Sequence, residues 1–99
     1  MDLKEYLFVK LMEECNEISM ASSKLLVFGE NSRNPFEQNS LTNQEKLTLE
    51  LNDLLGITQL LVEEGLLDEN WQNEDLVKAK KDKVKKLMEY SIKEGCLEL

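Results

Sequence analysis

Residues 10–18 have the sequence Lys-Leu-Met-Glu-Glu-Cys-Asn-Glu-Ile, and residues 46–54 have the sequence Lys-Leu-Thr-Leu-Glu-Leu-Asn-Asp-Leu. Both stretches begin with lysine and leucine, carry acids at the fifth and eighth positions with asparagine between them, and end on an aliphatic residue. Around each stretch the apolar residues recur at spacings of three and four, which is typical of a helix that buries one face. The repeat therefore predicts two amphipathic helices with acids at matching positions.

Helix start and stop signals surround both stretches and define a third helix. The starts are two capping boxes and an asparagine followed by two acids, at Asp2, Thr42 and Asn73. The stops are glycines that follow apolar-periodic runs, at Gly29, Gly65 and Gly95. No run of residues alternates in the manner of a strand. The sequence predicts an all-α chain with helices at about residues 3–27, 43–64 and 73–93, and a surface loop over residues 29–40.

Composition limits the domain count and the available chemistry. The chain has 99 residues, which fits one domain over residues 1–99. It contains no histidine, which excludes catalysis by histidine and leaves mainly carboxylates and lysines. Cys15 and Cys96 fit neither a metal-binding Cys-x-x-Cys motif nor a disulfide framework. Since signal-peptide and membrane-span patterns are also missing, we expect a cytoplasmic protein that does not associate with a membrane.

The net charge of −8 is unevenly distributed along the chain. Residues 77–99 hold seven lysines and four acids, a net charge of +3, which leaves −11 for residues 1–76. A protein that binds duplex DNA would present a basic face, so this distribution predicts no DNA partner. It suits a protein that holds divalent cations in one place and anionic groups in another.

The matched acids lie on or beside the apolar stripes of the first two helices. At 100° per residue, Glu14 falls about −40° from Ile18 on the stripe, and Glu17 falls about −100° from it at the edge. Glu50 and Asp53 occupy the same two angles relative to Leu54 in the second helix, whereas Glu13 points outward at about −140°. Each pair at i, i+3 shares a face, so facing helices could bring four carboxylates together.

Carboxylates on an apolar stripe need a partner, because burying an unpaired charge is costly. Oxygen donors without histidine or cysteine select a hard cation, so the sequence predicts a site for Mg²⁺, with Mn²⁺ as a second possibility. The ordinary alternative is that these acids are solvated or form ion pairs at i, i+4, from Lys10 to Glu14 and from Lys46 to Glu50.

The two acidic stretches together resemble the Glu-Glu-x-x-Glu … Glu-x-x-Asp signature of the MazG-like all-α nucleoside triphosphate pyrophosphohydrolases. The resemblance covers about residues 10–91, and the two-part motif is more specific than either half. It implies that Mg²⁺ is bound by the four acids of the helix stripes, Glu14, Glu17, Glu50 and Asp53. It also matches Glu13 to the additional catalytic acid of the motif. Asn52 stands where many members have glycine.

The implied reaction is hydrolysis of a nucleoside triphosphate, with a deoxynucleotide preferred, between the α and β phosphates. Nucleoside monophosphate and pyrophosphate are released, and one of the carboxylates serves as general base towards the attacking water. Such a reaction would control nucleotide pools or remove unwanted nucleotides.

Cations are also required to bind the phosphates of such a substrate. Lys80 and Lys83 lie on the stripe of the third helix, and Lys24 and Arg33 lie near the first loop. Each has an ordinary alternative role, either as a lysine stem that covers the core or as a surface charge. Four aromatic residues could stack on a base or anchor the core instead, namely Phe28, Phe36, Trp71 and Tyr90.

Three helices whose stripes carry acids make a thin core for one chain. We therefore expect a homodimer or homotetramer in which a core of the four-helix-bundle type is completed between copies, as the resemblance also implies. Leu49 and Leu60 lie off the main stripe and are candidates for that interface. The competing hypothesis is a non-catalytic acidic helical module that binds a protein partner.

Overall fold

The computed structural model describes all 99 residues. It contains three helices, α1 (Leu3–Phe28), α2 (Asn43–Glu63) and α3 (Glu74–Lys93), and no strand. An isolated bridge between Arg33 and Thr42 is the one element of extended pairing. The all-α prediction is confirmed, and every helix begins and ends within one residue of its predicted boundary.

Side-chain caps explain where the helices begin. The Asp2 carboxylate accepts a hydrogen bond of 2.8 Å from the backbone N–H of Glu5 at the start of α1. At the start of α2, Thr42 and Glu45 accept from each other's backbone N–H at 3.1 Å, which completes the predicted capping box. The Asn73 side chain accepts from two backbone N–H groups in the first turn of α3, at 2.9 and 3.1 Å. These bonds satisfy donors that a helix start otherwise leaves free.

The end of α2 shows why glycine marks the helix stops. Gly65 has a φ of 69°, which places it in the left-handed region that other residues rarely adopt. Its N–H donates to the carbonyl of Val62 at 2.9 Å, and the N–H of Leu66 donates to that of Leu61 at 2.8 Å. This pair of bonds is the Schellman motif, and it terminates α2 as the sequence predicts.

The chain divides into two compact units, Met1–Asp68 and Glu69–Leu99. In the first unit α1 and α2 pack against each other, and the second unit contains α3. The buried apolar residues are Leu7, Ala21 and Leu61, all in the first unit, and α3 contains no buried residue. None of the helices combines the length and the apolar character that a bilayer span requires. The single-domain interpretation stays a prediction.

The two helices of the first unit run antiparallel. The side chain of Asn43, at the start of α2, donates to the carbonyl of Gly29, directly after α1, at 2.9 Å. Glu14, in the middle of α1, lies beside Glu50 and Asp53, further along α2. The chain therefore forms a helical hairpin whose facing flanks carry the matched acids.

The covered faces of α1 and α2 differ in one respect from the predicted stripes. Cys15 and Leu51, predicted on the stripe about 60° from its centre, are exposed. Glu14 and Glu50, on the opposite side of the stripe, are half-buried. The contact between two helices covers a narrow sector of each, and this sector is rotated towards the acids. Glu14 and Glu50 are consequently less accessible than Cys15 and Leu51.

Candidate metal centre

Three of the predicted acids meet between α1 and α2. Glu14 from α1 and Glu50 and Asp53 from α2 each contribute one carboxylate oxygen, and these oxygens all lie within 4.8 Å of one another. Glu50 and Asp53 share a face of α2 because they are three residues apart. Glu14 approaches them from the facing helix, and we call these three side chains the acid cluster.

The acid cluster contains a buried oxygen with no partner. The Oε2 atom of Glu14 has less than 1 Å² of accessible surface and accepts no hydrogen bond. Glu14 and Glu50 are half-buried, and Asp53 is exposed. A carboxylate oxygen that has lost water and gained no donor is energetically costly. The site therefore lacks a positive or hydrogen-donating partner at this atom.

Carboxylates dominate the charges around Glu14, although the cation of Lys10 also interacts with it. Burial raises the pKa of Glu14 above its ordinary value of 4.5, and the charges of Asp53, Glu50, Glu17 and Glu13 raise that pKa further. A cation bound among these side chains would favour the charged form of Glu14 and remove this penalty. The electrostatics of the acid cluster thus favour a bound cation.

The two ion pairs that would have given the acids an ordinary role are not formed. Lys10 Nζ lies 3.0 Å from the Oε2 atom of Glu13 and 5.3 Å from the centre of the Tyr6 ring, so this lysine pairs with Glu13 rather than Glu14. Lys46 likewise forms no ion pair with Glu50. Neither half-buried acid of the cluster is neutralised by the lysine four residues before it.

Two other predicted acids lie outside the acid cluster. Glu17 is exposed and is not among the three acids whose oxygens converge, although its charge contributes to the raised pKa of Glu14. Glu13 is exposed, as its outward angle predicts, and is held by Lys10. The structure thus brings together three of the four predicted metal ligands.

The donor set and its dimensions fit a magnesium ion. Mg²⁺ binds oxygens at about 2.0–2.1 Å, so two oxygens on opposite sides of one ion are about 4.2 Å apart. An upper limit of 4.8 Å between the carboxylate oxygens is therefore close to what a single ion requires. An all-oxygen set without histidine or cysteine suits Mg²⁺ or Mn²⁺, and Mg²⁺ usually retains waters beside its protein ligands.

The predicted phosphate-binding cations occupy different surroundings. Lys24 and Arg33 line a cavity of about 450 Å³ in the first unit, where the loop after α1 meets the start of α2. Lys80 lines a broad depression beside Trp71 in the second unit, and Lys83 is exposed on α3. Every residue of α3 up to Tyr90 is exposed, so the stripe on which Lys80 and Lys83 were predicted is not covered.

Sequence reasoning assigned no role in a site to two polar residues of α2. Asn43 is the buried polar residue of the chain, and Lys46 lines the same cavity as Lys24. Their positions on the helix could have indicated such a role. Asn43 lies about −20° and Lys46 about −80° from Leu54, which is the centre of the stripe. A polar residue at the centre of the stripe and a lysine on the flank that carries the acids are both departures from an ordinary solvated face.

The helix caps, the converging acids and the unpartnered Glu14 oxygen are observed in the structure itself. Membership of the MazG-like family stays a prediction. Comparison of the chain with protein-family models, with curated proteins and with solved structures finds no match.

Proposed function

We propose that the chain is a Mg²⁺-dependent nucleoside triphosphate pyrophosphohydrolase of the MazG-like type. It would cleave a nucleoside triphosphate between the α and β phosphates and release pyrophosphate. One observation carries the proposal: Glu14, Glu50 and Asp53 converge within 4.8 Å while the Oε2 atom of Glu14 is buried without a partner. The paired acidic motif supplies the reaction class, and this geometry supplies a place for the metal.

The three acids of the cluster have separable tasks. Glu50 and Asp53 present oxygens from one face of α2, and Glu14 closes the site from α1. Bound Mg²⁺ would neutralise charge on phosphate oxygens and lower the pKa of a bound water. One carboxylate around the ion would act as general base towards the attacking water.

Glu17 and the predicted cations are further candidates in the proposal. Glu17 is exposed and close enough for its charge to raise the pKa of Glu14, and it is the candidate for a fourth carboxylate. We assign Lys24 and Arg33, which line the cavity near the loop, to contact with the substrate, and Lys80 and Lys83 remain the basic candidates of the second unit. Lysine binds phosphate as a point charge, so its binding of phosphate does not require one fixed geometry.

Enzymatic activity is tested by release of pyrophosphate from a panel of canonical and modified nucleoside triphosphates with Mg²⁺. We expect turnover of at least one nucleotide by the wild-type chain. Glu50→Gln removes a charged ligand and should lower kcat at least about a hundredfold, since such losses are typical of a single electrostatic group in a catalytic site. Glu63→Gln is the matched control, because Glu63 is an exposed acid of the same helix outside the cluster. Absence of turnover across the panel would overturn the proposed function and favour a non-catalytic binding module.

Assembly with further copies of the chain is part of the proposal. Three buried apolar residues form a small core, while Leu49 and Leu60 on α2 are 48% and 42% exposed. A second copy that covers these leucines would enlarge the apolar core into a four-helix-bundle arrangement. We expect a homodimer or homotetramer by light scattering coupled to size-exclusion chromatography, and a shift towards monomer in Leu60→Glu. A wild-type protein that is monomeric at every concentration tested would contradict this assembly.

A further inference from the structure

The cavity at the loop end of the hairpin has properties that the acid cluster does not explain. Its volume of about 450 Å³ is in the range of small-molecule sites, and it lies wholly within the first unit. Its lining includes three basic and two aromatic residues, which are Lys24, Arg33, Lys46, Phe28 and Phe36. No carboxylate contributes to that lining.

The concentration of positive charge here is unusual for this part of the chain. Residues 1–76 carry a net charge of −11 and contain only five basic residues, of which three line this cavity. Lys24 and Lys46 are half-buried, and neither forms an ion pair. Two half-buried lysines without an ion pair beside one cavity favour an anion of more than one negative charge.

Arg33 is held in position rather than free. Its Nη1 donates to the carbonyl of Ser40 at 2.7 Å, and its Nη2 lies 3.9 Å from a carboxylate oxygen of Glu45. These contacts fix the guanidinium at the edge of the cavity and balance part of its charge. The remaining positive charge of the cavity therefore comes mainly from Lys24 and Lys46.

Hydrogen bonds within the first unit shape the cavity before any ligand arrives. Asn43 is only 7% exposed, and its side chain donates to the carbonyl of Gly29 at 2.9 Å and to the hydroxyl of Ser32 at 3.3 Å. The side chain of Asn34 accepts from the backbone N–H of Phe36 at 3.0 Å, which fixes the backbone that carries this ring. A preorganised loop loses less conformational entropy when a ligand binds.

Two aromatic rings at the cavity are left in contact with water. Phe36 is 93% exposed and Phe28 is 66% exposed, although each contributes to the lining. Exposed phenyl rings beside cationic groups offer a stacking surface for a planar ring that carries an anion. This combination separates the cavity from a site for simple phosphate, which has no ring to stack.

We propose that this cavity binds a nucleoside 5′-monophosphate. The phosphate, with a charge of about −1.5 to −2 at neutral pH, lies between the ammonium groups of Lys24 and Lys46. The base stacks against Phe36 or Phe28. A nucleoside monophosphate is also the product of the proposed hydrolysis, and Lys24 is one of its proposed substrate contacts, so the inference deepens the proposed function. Binding here requires neither the acid cluster nor a metal, so the two proposals can be tested apart.

The test is an NMR titration of the full-length, ¹⁵N-labelled protein in EDTA. The four common nucleoside 5′-monophosphates are compared with the corresponding nucleosides and with inorganic phosphate. We expect at least one monophosphate to bind with a dissociation constant of about 1 mM or tighter, within the range of metabolite sites. Its nucleoside and inorganic phosphate should each bind at least about tenfold more weakly, since each lacks one of the two recognised groups.

Matched variants locate the binding. Lys24→Gln and Lys46→Gln should each weaken monophosphate binding by about tenfold, which is the effect of losing one charge-assisted hydrogen bond. Lys4→Gln makes the same charge change outside the cavity and should have no effect. Phe36→Ala should weaken binding of the monophosphate without changing that of inorganic phosphate. Leu26→Ala, at a residue that is 89% exposed, is the apolar control. Circular dichroism of each variant checks that the helices remain formed.

The outcomes separate this inference from the proposed hydrolysis. Binding that persists in EDTA and in Glu50→Gln but weakens in the lysine variants supports the cavity, even if no triphosphate is hydrolysed. Failure of every monophosphate to bind would overturn it, even for an active enzyme. Inorganic phosphate that binds as tightly as the monophosphate, or lysine variants that behave like Lys4→Gln, would overturn it as well.

Discussion

Stabilisation of the folded chain by Mg²⁺ is the most direct prediction of the proposed metal site. A ligand that binds only the folded state at ten times its dissociation constant adds about 1.4 kcal/mol to the free energy of unfolding. For a domain of about this size, 1 kcal/mol corresponds to about 4–8 °C in Tm, so we expect a rise of about 6–11 °C. The assay is thermal unfolding followed by circular dichroism, at fixed ionic strength, with and without MgCl₂.

Glu50→Gln should reduce this shift by removing one of three converging charges. Loss of an outer-shell partner alone lowers metal affinity by about 10–100-fold, and loss of a ligand should cost at least as much. At the same Mg²⁺ concentration the stabilisation then falls below about 0.5 kcal/mol, or a few degrees. In EDTA the sign reverses, because the substitution removes a negative charge beside Glu14 and should raise the Tm.

The stability of the folded chain without metal depends on pH with a defined sign. Because burial and neighbouring charges raise the pKa of Glu14 in the folded state, the folded chain binds a proton more tightly than the unfolded chain. The contribution of Glu14 to stability is therefore favourable below its ordinary pKa of 4.5 and is lost as the pH rises through its raised value. Mg²⁺ binds the charged form, so its stabilising effect should grow over the same interval.

Glu63→Gln provides the control for charge and helix propensity on α2. It should keep the full response to Mg²⁺, since Glu63 is not part of the acid cluster. Equal Tm shifts in the wild type, Glu50→Gln and Glu63→Gln would attribute the effect to general screening of a chain with charge −8 and would refute specific binding.

Two further predictions concern the loop end of the hairpin. Asn43→Ala should lower the free energy of unfolding by about 1–3 kcal/mol, because two hydrogen bonds to Gly29 and Ser32 are lost from a buried position. Urea denaturation measures this change, and a decrease no larger than that in Gln44→Ala would contradict the prediction. The hydrogen bonds from the backbone N–H and side chain of Thr42 hold the pKa of Glu45 below 4.5, so its contribution to stability is present above pH 4.5 and lost as the pH falls through the lower value. Glu45→Gln preserves the capping box, and the difference in stability from the wild type should shrink over that acidic interval; a constant difference from pH 7 down to the acid limit would be inconsistent with this coupling.

Local signals were sufficient for the helices and insufficient for their packing. Caps such as Thr42 act within one turn, so the chain's own neighbours determine where each helix begins. The accessibility of Cys15 and Leu51 depends on which sector the facing helix covers, which no local pattern specifies. The angle of Glu14 placed it correctly near the contact, but the exclusion of Glu17 from the acid cluster depends on the separation and rotation of two helices. The repeated spacing predicts which acids could converge, and the packing of α1 against α2 determines which of them do.

Two lysines of the first unit, Lys24 and Lys46, continue the same flank that carries the acids. Lys46 precedes Glu50 by four residues, about 6 Å along α2, and Lys24 follows Glu14 by ten residues, about 15 Å along α1. Both lysines approach the loop while the acids lie further from it, so negative and positive charge are separated along one side of the hairpin. A solvated helix face would intersperse the two signs and pair them at i, i+4, as Lys78 and Asp82 do on α3 at 2.8 Å. In the hairpin, by contrast, Glu14, Glu50, Lys24 and Lys46 are half-buried and form no ion pair, whereas Lys10 pairs with Glu13. That arrangement is what the two proposals together require, namely a metal ion at the acids and an anionic phosphate at the lysines of the same hairpin.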